Sequence, residues 1–210
     1  LVVSVEVRKG ARFDEELVED QRLGLFAEAP EDHQDDDLQV LEIERAGEPE
    51  GIPIVSRDSG RVLQVLAAGR RRIVEVGTAI GYSTLWLALG QPDDGTIVTI
   101  DPDRSRTDRA RAFWRHAGIA DHRIIVINAR ALTAFGQGEP ALAGPFELAF
   151  IDALKPEYTA YLEELVPRLA PAGLMAIDNT LWSGRVLDGD DDTETTRSIR
   201  KAVQDAERMS

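Results

Sequence analysis

Five short apolar runs between Arg71 and Ile177, at 71–76, 96–100, 123–127, 146–151 and 173–177, each stop at a residue able to bind something. Glu75 and Gly77 end the first run, Asp101 the second, Asn128 the third, Asp152 the fourth and Asp178-Asn179 the fifth. The segments between them read as helices over 82–89, 104–117 and 156–169. Tyr158, Tyr161, Leu162, Leu165 and Leu169 recur at the i, i+3, i+4, i+7 spacing of a core-facing stripe. Ala110, Phe113, Trp114 and Ala117 line one side of 104–117, and Gly118 closes it. Alternation of this kind predicts an α/β fold, a doubly wound and mostly parallel sheet with right-handed crossovers. Ligands of such sheets collect beyond the carboxyl ends of the strands, so the polar residues are expected to meet in one crevice.

The 210 residues, 43% of them hydrophobic, are enough for a single well-buried domain. Residues 1–52 read as an N-terminal extension of helices and loops, and 53–210 as the α/β unit. Phe13–Glu28 and Leu38–Ile43 are the candidate helices of the extension, and Glu28–Asp37, with six acids, reads as a solvated loop between them. Gly47–Pro53 is a hinge leading to Ser56, the expected N-cap of a helix that runs to about Ala68 and stops at Gly69. Near the end, the acidic run Asp188–Asp192 reads as a solvated loop before a last helix at 194–208. A chain without Cys has no disulfide framework, no apolar run approaches the roughly 18 residues of a membrane span, and no signal peptide is visible. These features fit a cytoplasmic protein. The formal charge of −14 repels phosphate, which argues against nucleic acid or an anionic membrane as partner.

The strand ends carry the chemistry. Asp152, Asp178 and Asn179 offer oxygen ligands with no Cys or His beside them, the set that suits a hard cation such as Mg²⁺. In Glu75-Val-Gly-Thr-Ala-Ile-Gly-Tyr-Ser-Thr, glycines at 77 and 81 lie between a strand and a helix start, where free N–H groups near Tyr82 and Ser83 could receive a carboxylate. The dinucleotide fingerprint G-x-G-x-x-G is absent, since position 79 is Ala, so a nicotinamide dehydrogenase is disfavoured. Asp101, at the next strand end, is placed to accept hydrogen bonds from two ribose hydroxyls, although a tight turn and a solvated acid would read the same way. Trp182 could wall an aromatic substrate or simply pack. His33, His116 and His122 lie outside the crevice, and there is no G-x-S-x-G elbow.

Together, Val-Glu-Val-Gly-Thr-Ala-Ile-Gly-Tyr-Ser-Thr, Thr-Ile-Asp-Pro-Asp, Ala-Phe-Trp-Arg-His-Ala-Gly-Ile, Phe-Ile-Asp-Ala-Leu-Lys and Ile-Asp-Asn-Thr-Leu-Trp-Ser-Gly-Arg-Val resemble the cation-dependent O-methyltransferases of the caffeoyl-CoA and catechol type. The resemblance covers 53 to about 186 well and 1–50 loosely. It implies the Rossmann-like fold of a class I methyltransferase over 53–210, with S-adenosylmethionine as cofactor. Glu75, Gly77, Thr78, Gly81, Ser83, Asp101, Val55, Ala129 and Asp152 would contact that cofactor. Asp152, Asp178 and Asn179 would hold the divalent cation, Lys155 would be the active-site lysine, Trp182 would face the substrate, and Ser56 with Gly60 would lie on the helix that helps close the cofactor pocket.

Three departures from the family stand out. Leu154 replaces a frequent Asp, and Asn128-Ala129-Arg130 lacks the acid that often holds the adenine amino group. Relatives also continue past the last helix into two more strands, whereas this sequence stops at Ser210. A sheet left open beside the strand ending at Asp178 would call for cover, from another element or from a second subunit, and a homodimer is expected. A phenol, with a pKa near 10, needs activation for methyl transfer, and binding of two adjacent hydroxyls to the cation would supply it, with Lys155 as proton acceptor. The expected acceptor is therefore a small aromatic vicinal diol. A caffeoyl-CoA-type thioester is the alternative within the family, and a cofactor-binding module without methyl transfer the alternative outside it.

Overall fold

The computed structural model describes residues 2–5 and 33–209 and places its strands in one sheet. The strands are β1 (Val2–Val5), β2 (Arg72–Val76), β3 (Thr96–Ile100), β4 (Ile124–Ile127), β5 (Phe146–Ile151) and β6 (Leu169–Asp178). Their order is β1-β6-β5-β2-β3-β4, and every pair is parallel. The helices are α1 (His33–Gly47), α2 (Arg57–Ala67), α3 (Tyr82–Gly90), α4 (Arg104–His116), α5 (Ala131–Gly136), α6 (Tyr158–Leu165) and α7 (Glu194–Met209).

Runs such as Ile73-Val74 and Ile97-Val98-Thr99-Ile100 are β-branched, which favours the pleated conformation. They are apolar at successive positions because both faces of the sheet are covered. Ile73, Ile97, Leu148, Phe150 and Ala176 meet Val40 and Ile43 of α1, Leu63 of α2, Trp86 of α3 and Trp114 of α4. On the opposite face Val74, Val98, Ala149, Met175 and Ile177 meet Phe135 of α5, Tyr158 and Leu162 of α6, and Ala202 and Ala206 of α7. Successive residues of a strand serve different layers, so the chain is wound twice around one sheet, as the alternation predicts. Ser56 caps α2 through a hydrogen bond from the Ser59 N–H (3.1 Å), and Gly69 follows that helix with φ +74°.

Several elements differ from the expectation. The edge beside β6, which the sequence leaves open, is taken by β1 of the same chain, with Val2 opposite Met175 and Val5 opposite Asp178. That edge therefore supplies no argument for a second subunit. Helix α1 begins at His33, so 33–37 is helix and not loop. The expected helix 156–169 is shorter. Pro156 lies in a 3-10 turn at Lys155–Glu157, α6 occupies Tyr158–Leu165, and Pro167, which has no N–H to donate, falls in a second turn before β6 starts at Leu169. The hinge at 47–53 contains a 3-10 turn, Glu48–Glu50, and α5 is an additional helix. The candidate helix Phe13–Glu28 lies outside the described residues. No helix among the described residues is long and apolar enough to cross a membrane.

Helices α2 and α3 approach closely because two glycines allow it. A Cβ on Gly60 would lie 2.2 Å from the Trp86 ring, and one on Gly90 would lie 2.0 Å from the backbone carbonyl oxygen of Gln64. Gly90→Ala must push two backbones apart. We expect a stability loss of about 1–3 kcal/mol by urea denaturation, and a loss below about 0.5 kcal/mol would show that the helices can separate freely.

Candidate active site

The strand ends of β2, β3, β5 and β6 surround a cleft of about 620 Å³, within the roughly 300–1,000 Å³ of small-molecule sites. One wall is the turn between β2 and α3. Gly77 (φ +103°) and Gly81 (φ +83°) occupy backbone conformations that a side chain would strain. Gly77 is also fixed sterically, because a Cβ there would stand 2.0 Å from the carbonyl oxygen of Asp152. The Asp152 N–H in turn donates to the Val76 carbonyl (3.0 Å), so the turn and the end of β5 are packed backbone to backbone. Asp101 pins the turn from the other side, with one carboxylate oxygen accepting from the Ala79 N–H (2.9 Å) and the other from the Asp103 N–H (2.8 Å).

Glu75 lies beneath the cleft and does not line it. It is fully buried, and the hydroxyls of Ser83 (2.6 Å), Thr84 (2.5 Å) and Thr99 (2.6 Å) donate to its carboxylate. Because Thr99 donates to Glu75, Thr78 must donate to Thr99 across their 2.6 Å contact. One carboxylate therefore orders β3, the first turn of α3 and the Gly77–Gly81 turn. Burial pushes the Glu75 carboxyl up to about 7, against the pull of its three hydroxyl donors.

At the opposite end, Asp152, Asp178 and Asn179 line the cleft with Lys155. Lys155 Nζ donates to Asp152 Oδ1 (2.9 Å) and lies 5.1 Å from the centre of the Tyr158 ring. Asp178 is 5% exposed. Burial, and then the charge of Asp152, push its carboxyl up to about 7, while Lys155 and the Asn179 amide that donates to it pull the other way. Asn179 reaches this position in left-handed backbone (φ +61°), a conformation in which Asn is enriched. Two carboxylates that repel each other in a buried place, with an amide alongside, fit a hard divalent cation, the neutralising partner that a buried pair needs. Among the described residues no group of three or more His, Cys, Asp or Glu could hold a metal ion. A cation here would thus rest on two carboxylates and one amide, leaving positions for water or substrate.

The remaining expected residues divide in two. Val55, Thr78, Ser83, Asp101 and Trp182 line the cleft. Gly81, Ala129, Ser56 and Gly60 do not. Gly81 caps α3, and its carbonyl accepts the Trp114 indole N–H (2.9 Å). Ala129 packs under the sheet, and the Asn128 side chain turns away to Thr107 and the Asp101 carbonyl. Ser56 and Gly60 shape α2, while Pro53, Ile54 and Val55 just before them reach the cleft. Leu154 stands at the rim, 53% exposed.

Sequence reasoning missed five polar members of the lining, Tyr82, Asp103, Arg106, Arg130 and Glu157, and read Tyr161 as core alone. The Tyr82 hydroxyl donates to Glu44 of α1 (2.6 Å), which Arg57 also holds (2.8 Å). Glu157 joins Arg130 (2.5 Å) to the Tyr161 hydroxyl (2.6 Å). The signal for Arg130 was its place two residues after Asn128 at a strand end. Glu44 carried none, because Arg57 and Tyr82 are distant in sequence, and for Glu157 the partner Arg130 lies 27 residues away.

Burial makes Glu75 hold its proton more tightly than an exposed carboxylate would. Its folded pKa lies above the unfolded value of about 4.5, so the folded state binds the extra proton and stability falls as pH rises from about 4.5 to 7. Relative to Glu75→Gln, the native chain should lose roughly 3 kcal/mol across that window. A pH-independent difference in denaturation free energy between the two proteins would refute it.

Comparison with known proteins places most of the chain among relatives. Residues 31–210 match the family model described as O-methyltransferase. Tricin synthase 1 of Oryza sativa subsp. japonica is 40% identical over 138 residues, covering 62% of this chain and 54% of that protein. The catechol O-methyltransferase of Niastella koreensis is 34% identical over 158 residues, covering 74% of this chain and 68% of that protein. The chain thus spans about half the length of the first of these relatives. Among solved structures, the O-methyltransferase from Bacillus cereus in complex with SAH superposes with a TM-score of 0.73 at 31% identity, covering 80% of this chain and 78% of that one. With residues 31–210, most of its length, matched by the family model, the chain belongs to the O-methyltransferase family.

Proposed function

We propose that the protein transfers a methyl group from S-adenosylmethionine to a hydroxyl of a small aromatic vicinal diol, with a divalent cation, Mg²⁺ by its oxygen-only ligands, held by Asp152, Asp178 and Asn179. The observation that carries the reading is the ion pair of Lys155 with Asp152 beside Asp178 and Asn179, in the same cleft as Asp101 and the Gly77 turn. When bound, the donor would supply an electrophilic methyl group and the cation Lewis-acid polarisation of the acceptor hydroxyls. Lys155, in its neutral amine form, receives the phenolic proton at Nζ, and Asp152 accepts a hydrogen bond from that amine and holds it in place. N–H groups of the Gly77–Ser83 turn take the donor's carboxylate, and Asp101 its ribose hydroxyls. Trp182 and Leu154 offer apolar surface to the ring.

The charge of the cleft favours this substrate class over a coenzyme A thioester. Five carboxylates line it, Asp101, Asp103, Asp152, Glu157 and Asp178, against three cations, Arg106, Arg130 and Lys155. Each cation is already paired, with Asp103 at 3.4 Å, Glu157 at 2.5 Å and Asp152 at 2.9 Å. None is left to receive phosphates, whereas a sulfonium and a neutral phenol are both compatible with net negative charge.

Two tests follow. With labelled S-adenosylmethionine and Mg²⁺, catechols should be methylated with a higher specificity constant than caffeoyl-CoA, and EDTA should stop the reaction. Asp178→Ala should abolish turnover while leaving S-adenosylhomocysteine binding intact. Full activity in EDTA would refute the cation, and binding without turnover across the panel would favour a module that only binds the cofactor. Asp101→Ala should weaken cofactor binding by about 1–3 kcal/mol, and an unchanged dissociation constant by calorimetry would remove Asp101 from the donor site.

A further inference from the structure

The loop that follows Asn179 is held from outside the cleft. After Leu181 (φ −82°), Trp182 (φ +48°), Ser183 (φ +56°) and Gly184 (φ +86°) return to the left-handed region that Asn179 also occupies. Residues with a Cβ keep such a conformation only where their surroundings over-determine it. Part of that constraint is local, since the Trp182 N–H donates to the Asn179 carbonyl (3.2 Å) and the Gly184 N–H to the Leu181 carbonyl (2.8 Å).

The stretch that follows is held by Arg200 on α7. Its Nε donates to the Val186 carbonyl (2.9 Å), its Nη1 to the Asp191 carbonyl (2.9 Å), and its Nη2 to the carbonyls of Arg185 (3.3 Å) and Asp188. Four of the five N–H bonds of a guanidinium thus end on the backbone of one stretch, 185–191. Arg185 and Asp191 close the same stretch with an ion pair (2.5 Å), and Asp191 also accepts from the Thr193 N–H (3.1 Å). The platform beneath is fixed, because Ile199 and Ala202, on either side of Arg200, are 0% and 1% exposed.

On its inner side the loop carries Trp182, whose ring lines the cleft and whose indole N–H is buried with no hydrogen-bond partner among the described residues. We propose that Arg200 is a positioning residue for the methyl acceptor: by gathering the carbonyls of 185–191 onto α7, it sets where Trp182 stands beside Asp178 and Asn179. It touches neither the acceptor nor the donor. The donor's contacts, the Gly77 turn and Asp101, belong to β2, α3 and β3 and do not depend on this loop. Lysine cannot substitute, because one ammonium cannot reach four carbonyls spread around a planar fork. The acceptor half of this inference rests on the function proposed above.

The test compares Arg200→Met, which keeps the apolar stem, and Arg200→Lys with the native chain. In protein labelled with ¹⁵N, the indole N–H signal of Trp182 should shift or broaden in both variants while those of Trp86 and Trp114 stay in place. The dissociation constant for S-adenosylhomocysteine should stay within about twofold. The KM for catechol should rise at least tenfold, with a smaller change in kcat. An unmoved Trp182 signal would overturn the proposal, as would joint movement of all three indoles, a parallel loss of S-adenosylhomocysteine affinity, or an unchanged catechol KM beside a moved Trp182. Should the native chain not methylate catechol, the proposed function fails, and the indole signals still decide whether Arg200 positions the loop. Should Arg200→Met not fold, Arg200→Lys carries the same measurements.

Discussion

The contact between Gly77 and the Asp152 carbonyl is the constraint on which the rest of the site depends. Two adjacent parallel strands end there with no room between them for a single methyl group. One strand continues into the turn that faces Asp101, and the other into Lys155 and the carboxylate pair. A rigid seam between these halves fixes the distance between whatever each half binds, and a group-transfer reaction needs that distance held to a fraction of an ångström. Glu75 secures the seam from below. Its three hydroxyl partners come from α3 and β3, so a movement of the turn would break several buried hydrogen bonds at once.

Much of this was legible in the sequence, for a physical reason. In a parallel sheet covered on both sides, strands are continuous apolar runs and the chain becomes polar where it leaves the sheet, so Asp101, Asp152 and Asp178 announce both the strand ends and the cleft. The helix cap at Ser56 was equally plain, since its partner is three residues away. What was not legible depends on which way a side chain points or on a distant partner. Glu75 looks like a cleft residue because it sits one position before the turn at Val76-Gly77, yet strand alternation points it inward to Thr99 and Ser83. Tyr161 has the spacing of a core residue and is one, but its hydroxyl extends past the core to Glu157. Strand β1 has only four residues, and its pairing partner lies at the far end of the chain.

The helices divide the labour between the two faces of the sheet. On one side α1 to α4 carry the turn and its supports, and Glu44 of α1 ties that layer to the cleft through Tyr82. On the other side α6 and α7 support the carboxylate end, with the Tyr158 hydroxyl donating to the Asp178 carbonyl (3.2 Å). Each half of the site is thus backed by its own hydrophobic layer, and the sheet is their common floor.

The parallel pairing of β1 with β6 has a consequence for how the molecule comes together. Val2 lies opposite Met175, a separation of 175 − 2 = 173 residues. Strand β1 cannot find this partner until residues 6–168 between the two strands have been made. Every other pairing in the sheet can form from segments closer in sequence, so topology makes this edge the slowest contact to close, and until then the backbone of β6, which ends at Asp178, lies open along one side.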